Sequence, residues 1–292
     1  MKRHFAALMA ACLLLAGCQD KASHPNGGAS PLLFEVASAD GAVEGWLFGT
    51  IHSLPDDTEW RTPLLDQTIE RADSLIVEIA ALDDSAALFA TYRKLAMTPN
   101  QPDIATKVPP SKIPALYDLM DKAGYSPRDF HALETWAVAL SLAQVYETGD
   151  PENGADLAMI KAFSGRPIEE FEGAERQLAI FDTLPEREQS DLLVAVIDEA
   201  DQRSGEPEKL QRAWLHGDMV ALEAATREGM MADPELREAL LAKRNREWSA
   251  QLDTILERSE RPLVAVGAGH LVGKDGLPTL LERRGYKVTR IQ

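Results

Sequence analysis

The sequence predicts an α/β protein, a central mixed sheet with helical insertions packed on it. Apolar strand-forming runs lie near both ends of the chain and helical tracts fill the middle. Two of the strand candidates end in the same pattern, Gly49-Thr50-Ile51-His52 and Gly267-Ala268-Gly269-His270. Strands at both ends with helices between them suggest one sheet closed by the termini. Glycine accepts backbone angles that other residues resist, so it suits a sharp turn at a strand's end. The crevice beyond the carboxyl ends of the strands is the usual ligand site of such sheets, and both imidazoles are expected there.

The chain opens with a basic start, Lys2-Arg3-His4, and an apolar stretch from Phe5 to Leu15 too short to span a bilayer. Leu15-Ala16-Gly17-Cys18 reads as a bacterial lipobox, so residues 1–17 form a lipoprotein signal peptide and Cys18 accepts palmitate-type acyl chains. An ordinary secretory signal or an uncut anchoring helix is the alternative. Gln19 after the cysteine favours the outer membrane under the enteric sorting rule, placing the protein in the cell envelope facing the periplasm. Residues 18–30 are polar, with Pro25 and Gly27-Gly28, and read as a flexible tether.

Residues 31–292 form the globular part. Phe34–Ser38 and Val43–Phe48 suggest a hairpin around Ala39-Asp40-Gly41. Thr62–Ala72 is a helix with Pro63 in its first turn. Ser74–Ile79 is a short buried strand. A helical tract runs from Asp84 to about Phe163, broken at Pro99, Pro109-Pro110, Gly124 and Gly149. Pro167–Glu172 is a strand, and helices resume from Glu175 to Arg258 with breaks near Pro185, Pro207, Gly217 and Pro234. The end is a strand, the second Gly-x-x-His, a helix over Leu277–Arg284 and a strand over Lys287–Ile291.

Removing the leader takes Lys2 and Arg3 from the 30 basic residues and none from the 47 acidic ones, which moves the net charge from −17 to −19. Such an acidic surface argues against nucleic acid or anionic lipid as partner. Cys12 lies in the leader and Cys18 is the lipidation site, so disulfides, thiolate catalysis and cysteine-ligated metal are excluded from the globular part.

Two acids sit where acids are expensive. Glu78 follows Leu75-Ile76-Val77, and Glu172 follows Phe171. A buried carboxylate needs a cation, a metal or hydrogen-bond donors. A strand-end acid facing water, or one paired with a structural arginine, is the plainer alternative. His52 and His270 singly read as structural histidines; their matched turns make them candidates as a pair. His131, with Leu133 and Trp136, reads as an amphipathic-helix residue, and His216 as a helix boundary. Trp136, Tyr146 and Trp248 read as core.

At these residues the chain resembles the TraB/GumN family, which includes the TraB/PrgY pheromone-shutdown proteins and the animal TIKI metalloproteases. The matches are Leu47–His52, Val77-Glu78, Gly154-Ala155-Asp156, Phe171-Glu172 with Gln177, Trp214–Asp218, Arg244-Asn245 with Trp248, and Val266–Leu271 with Gly276-Leu277. They fall in family order from about residue 32 to 292. The resemblance implies a TIKI/erythromycin-esterase-like fold and a site built from both Gly-x-x-His histidines and the strand glutamate. It implies peptide-bond hydrolysis through the TIKI branch. One departure is Phe171-Glu172-Gly173-Ala174, where the family more often has Leu-Glu-Thr.

Chemically, His52, Glu78 and His270 form a ligand set for Zn²⁺, Mn²⁺ or Co²⁺ with open positions for water and substrate. A metal there lowers the pKa of bound water and polarises the scissile carbonyl. Glu172 is then a fourth ligand or the general base, and Arg244 meets a substrate carboxylate or an oxyanion. A surface ion pair is the alternative for Arg244. Three functions follow: an envelope-anchored metal-dependent peptide hydrolase, a metal-independent hydrolase with a histidine general base, as the erythromycin-esterase relatives suggest, or a protein that sequesters a peptide or other small ligand.

Overall fold

The computed structural model describes residues 28–82, 84–146, 148–202 and 208–292. The leader, Cys18 and most of the tether lie outside them. Among the described residues the strands are β1 (Leu33–Ala37), β2 (Val43–Thr50), β3 (Ser74–Val77), β4 (Ile168–Glu170), β5 (Pro262–Gly267) and β6 (Lys287–Arg290). They form one sheet in the order β4-β3-β5-β2-β1-β6. β1 runs antiparallel to both β2 and β6, whereas β2, β5, β3 and β4 are mutually parallel along the sheet. The sheet is therefore mixed, and both ends of the chain build its centre.

The local chemistry explains these elements. β3 and β5 are buried along their whole lengths, as the unbroken apolar runs Leu75–Val77 and Leu263–Val266 require of parallel strands covered on both faces. The β1–β2 hairpin turns at Gly41, whose φ of +90° few side chains tolerate. Ser38 Oγ and the Ala42 amide both donate to Asp40 Oδ1 there. Helix α1 (Pro63–Arg71) starts at Thr62, whose hydroxyl accepts from the Leu65 amide, with proline at its first position.

The insertions contribute α2 (Ser85–Ala96), α3 (Ile113–Lys122), α4 (Thr135–Ala143), α5 (Ala155–Ala162), α6 (Gly173–Asp182), α7 (Glu186–Gln202), α8 (Lys209–Leu215), α9 (Met219–Ala225), α10 (Pro234–Arg237), α11 (Lys243–Leu256) and α12 (Leu277–Glu282). Only part of this helical mass covers the sheet. Residues of α1, α5, α11 and α12 share the sheet's core, with Leu65, Met159, Trp248 and Leu281 among them. Residues of α2, α3, α4, α6 and α7 build a second core around Trp136, Phe181 and Leu193. Helix α4 drives that separation. Its residues Thr135–Leu142 are all buried, and a helix apolar on every side must be surrounded by other helices.

Several boundaries differ from the sequence reading. β3 stops at Val77 and β4 at Glu170, so Glu78 and Glu172 lie just beyond their strands. The Glu78 carbonyl accepts from the Glu172 and Gly173 amides, and Gly173 turns at φ +73° into α6. His131 stands exposed in the turn before α4, not on the helix. The helix break expected near Pro234 is present, with Pro234 at the first position of α10.

Candidate functional site

The two Gly-x-x-His turns leave adjacent parallel strands, β2 and β5, at their carboxyl ends. Gly49 pairs with Val266 and Thr50 with Gly267. Neither Gly49 nor Gly267 has a positive φ, so the glycines are not there for turn angle as the sequence suggested. Gly49 serves close approach, since a Cβ on it would come within 3.2 Å of Ala268 in the other turn. Trp214 holds the first turn from above by donating Nε1–H to the Gly49 carbonyl at 2.8 Å.

His52 is fixed by the start of α5. Its Nδ1 lies 2.7 Å from Asp156 Oδ2, and Thr50 Oγ1 donates to Asp156 Oδ1. A carboxylate only accepts, so His52 carries its proton on Nδ1 and Nε2 is its basic nitrogen. The contact depends on Gly154, where a Cβ would stand 2.2 Å from the His52 carbonyl oxygen. The Ala155 amide donates to the Ile51 carbonyl at 2.8 Å, completing the clamp.

His270 is wholly buried. Its Nδ1 meets Asn245 Oδ1, while Asn245 Nδ2 donates to the carbonyls of Asp275 at 2.8 Å and His270 at 3.4 Å. Those carbonyls orient the amide, so Oδ1 must accept from Nδ1–H and His270 Nε2 again faces inward. Trp248 packs over the imidazole with ring centres 4.5 Å apart.

Beside His270 lies a buried Glu-Arg-Glu cluster. Arg244, on α11, is 2 % exposed, which removes the surface ion-pair alternative. Its Nη2 donates to Glu78 Oε2 at 2.7 Å and to Glu172 Oε2 at 2.9 Å. Nε donates to Glu172 Oε1 at 3.0 Å, and Nη1 to the Leu240 carbonyl at 3.0 Å. Nη1 also stands 3.4 Å from His270 Nε2. The guanidinium's donors are thus directed at protein groups, which makes Arg244 a positioning residue. Trp248 Nε1 donates to Glu172 Oε1 at 3.1 Å, and the Gly267 amide to Glu78 Oε1 at 2.9 Å. Burial pushes the Glu78 pKa up, but Arg244, His270, His52 and the Gly267 amide outweigh it and bring it to about 2. Burial drives His270 down to about 3, with Arg244 and His52 adding to the effect and Glu78 opposing it.

The proposed metal triad is only partly assembled. Glu78 Oε1 and His270 Nε2 are 3.9 Å apart, and His52 stands close enough to act on the charge of both. Among the described residues the one trio of ligating side chains with all donor atoms within 4.8 Å of one another is Glu188, Asp233 and Glu235. A metal on Glu78 and His270 would also face the Arg244 guanidinium, a cation already donating to Glu78 and directed at His270. As arranged, the donor atoms of His52, Glu78 and His270 do not all lie within 4.8 Å of one another.

His52 lines a cleft beyond the ends of β2 and β5. Its floor is Thr50–His52 and Gly267–Gly269, and its walls come from α8, α9 and the turn at Met231. Asp156 and Asn245 were not among the site residues read from the sequence, although both lie in motifs quoted for the family. Their types alone name no partner, and their partners lie 104 and 25 positions away.

Sequence comparisons agree with the motif order. The profile of the TraB/PrgY/gumN family matches residues 32–290. The uncharacterized protein YbaP of Escherichia coli (strain K12) is 26 % identical over 240 residues, covering 80 % of this chain and 86 % of that protein. YbaP of Shigella flexneri matches to the same extent. No solved structure matches the chain significantly. With a family match across nearly the whole globular part, the chain belongs to the TraB/PrgY/gumN family.

Proposed function

We propose that this protein is an envelope-anchored hydrolase of a peptide or small-molecule ester or amide, with His52 as general base. The observation that carries the reading is the His52–Asp156 contact at 2.7 Å on an imidazole that lines the cleft. The lipobox supports the anchor, with Cys18 as the lipidated amino terminus and the outer membrane, periplasmic side, as its location.

In the proposed reaction a water oxygen bonds to the scissile carbonyl carbon as His52 Nε2 takes one of its protons. The bond from that carbon to the leaving oxygen or nitrogen then breaks, and His52 returns the proton to the leaving atom. Asp156 holds the productive tautomer and stabilises the transient imidazolium. Glu78 and Glu172 share one guanidinium, so the cluster, which His52 senses through Glu78, carries an unbalanced negative charge that favours the same imidazolium. His270, kept neutral by burial and Arg244, serves as a fixed polar wall.

The metal-dependent peptide hydrolase expected from the sequence is the competing reading. It rests on the Nδ1 contacts, Asp156 on His52 and Asn245 on His270, which hold both imidazoles in the way ligating histidines are held. Arg244 weighs against it, because Glu78 and His270 already share a cation. Hydrolysis of a peptide and ester library by the purified protein, with and without chelator, tests the reading. Turnover that survives chelation and is lost in His52→Ala supports a general base. Turnover abolished by chelator and restored by Zn²⁺, Mn²⁺ or Co²⁺ overturns it.

A further inference from the structure

The cleft beside His52 has a chemical character of its own. Its walls are Leu210 and Trp214 from α8, Leu222 and Ala225 from α9, and Met231. Among the described residues no Lys, Arg, Asp or Glu lines it. Two hydroxyls do, and both protons are committed elsewhere: Thr50 donates to Asp156, and Thr226 donates to the Glu223 carbonyl at 2.8 Å. A charged group entering this space would lose its water and find no counter-ion, which costs several kcal/mol. An apolar group would replace water against aliphatic and indole surface and gain about 25 cal/mol for each Å² buried.

We propose that the cleft selects substrates carrying a neutral, apolar group next to the scissile carbonyl, as in an aliphatic acyl ester or amide. This rests on the reading of His52 as the hydrolytic base, because the cleft matters for specificity only if bond cleavage occurs at its floor. Leu210 is the residue to alter. It is half-buried at the wall, so a larger or charged side chain there changes the space without opening the main core.

The test uses the detergent-solubilised full chain and p-nitrophenyl esters of acetate, hexanoate, succinate and 6-aminohexanoate. The expected kcat/KM for the hexanoyl ester exceeds those for the anionic and cationic esters by at least tenfold. Leu210→Trp should lower the hexanoyl-to-acetyl ratio about tenfold, and Leu210→Arg should raise the succinyl-to-hexanoyl ratio by a similar factor. The second change is a gain that a merely damaged fold cannot produce. Equal or preferred turnover of the charged esters, or ratios untouched by both variants, would overturn the proposal. Calorimetric binding of the neutral ketone 2-octanone separates the two readings. Binding weakened by Leu210→Trp without any ester turnover upholds the apolar selection and removes the hydrolase reading. Turnover with no such binding or chain-length preference removes the selection alone.

Discussion

Arg244 Nη1 stands 3.4 Å from His270 Nε2, so a guanidinium faces the imidazole nitrogen that a metal would need. The same side chain joins Glu78 and Glu172, and so sets the charge of the centre. Its neighbours, in turn, use up its donors. That arrangement separates the roles of the two matched histidines: His270 belongs to a fixed polar network, whereas His52 faces the cleft.

Arg244→Met should be severely destabilising. It would leave two carboxylates buried without their cation, and breaking such a pair costs about 3–5 kcal/mol. Arg244→Lys keeps the charge but cannot fork between Glu78 and Glu172, so its loss should be smaller but still measurable. Urea unfolding followed by tryptophan fluorescence gives both values, and a loss under 1 kcal/mol for Arg244→Met would contradict the network described.

His52→Ala should lower hydrolysis by about 10²–10⁴-fold, the range for removal of a general base. Asp156→Asn should fall within the same range, because an amide can orient the imidazole in the wrong tautomer. Circular dichroism should show both variants folded. His131→Ala changes an exposed turn residue and should retain wild-type kcat/KM. Comparable loss in His131→Ala would point to general damage instead of site chemistry.

Stability should fall on acidification below about pH 6.5. His270 titrates near 6.5 when unfolded and at about 3 when folded, so between those values the unfolded chain binds the additional proton. Glu78 acts in the same direction between 4.5 and about 2. Each group contributes a slope of up to about 1.4 kcal/mol per pH unit within its window. In His270→Gln the slope between pH 6 and pH 5 should be reduced relative to wild type; an unchanged slope would remove His270 as its source.

Gly154→Ala should disturb the site without touching a polar group. The added methyl would meet the His52 carbonyl oxygen at 2.2 Å, so α5 must move away and carry Asp156 with it. Activity should fall at least tenfold, and stability by about 1–3 kcal/mol, as for other over-packed positions. Kinetics together with thermal unfolding check this, and wild-type values in both would show that the turn has room to spare.

Cys18→Ser should release the protein from the membrane fraction or stall its processing. Mass spectrometry of the wild-type amino terminus should find a diacylated or triacylated Cys18. An unmodified terminus beyond residue 18 would end the lipoprotein proposal.

Much of the architecture was legible because it is locally encoded. The apolar runs at Leu75–Val77 and Leu263–Val266, Pro63 after Thr62, and Ala39-Asp40-Gly41 each depend on near neighbours, so the sequence alone placed β3, β5, α1 and the hairpin. It also determined the net charge, the absence of cysteine beyond Cys18 and the matched Gly-x-x-His turns. What those turns do was decided only by the sheet order, which sets β2 beside β5 and brings distant segments to their ends. Asp156 reaches His52 across 104 positions, and Arg244 reaches Glu78 across 166. A residue's type states what it can donate or accept, but not which partner will stand within 3 Å. Tertiary packing supplied those partners, and with them the tautomers of both histidines and the burial of Arg244. The physical reason is that hydrogen bonding and desolvation depend on distances in space, while sequence periodicity records only distances along the chain.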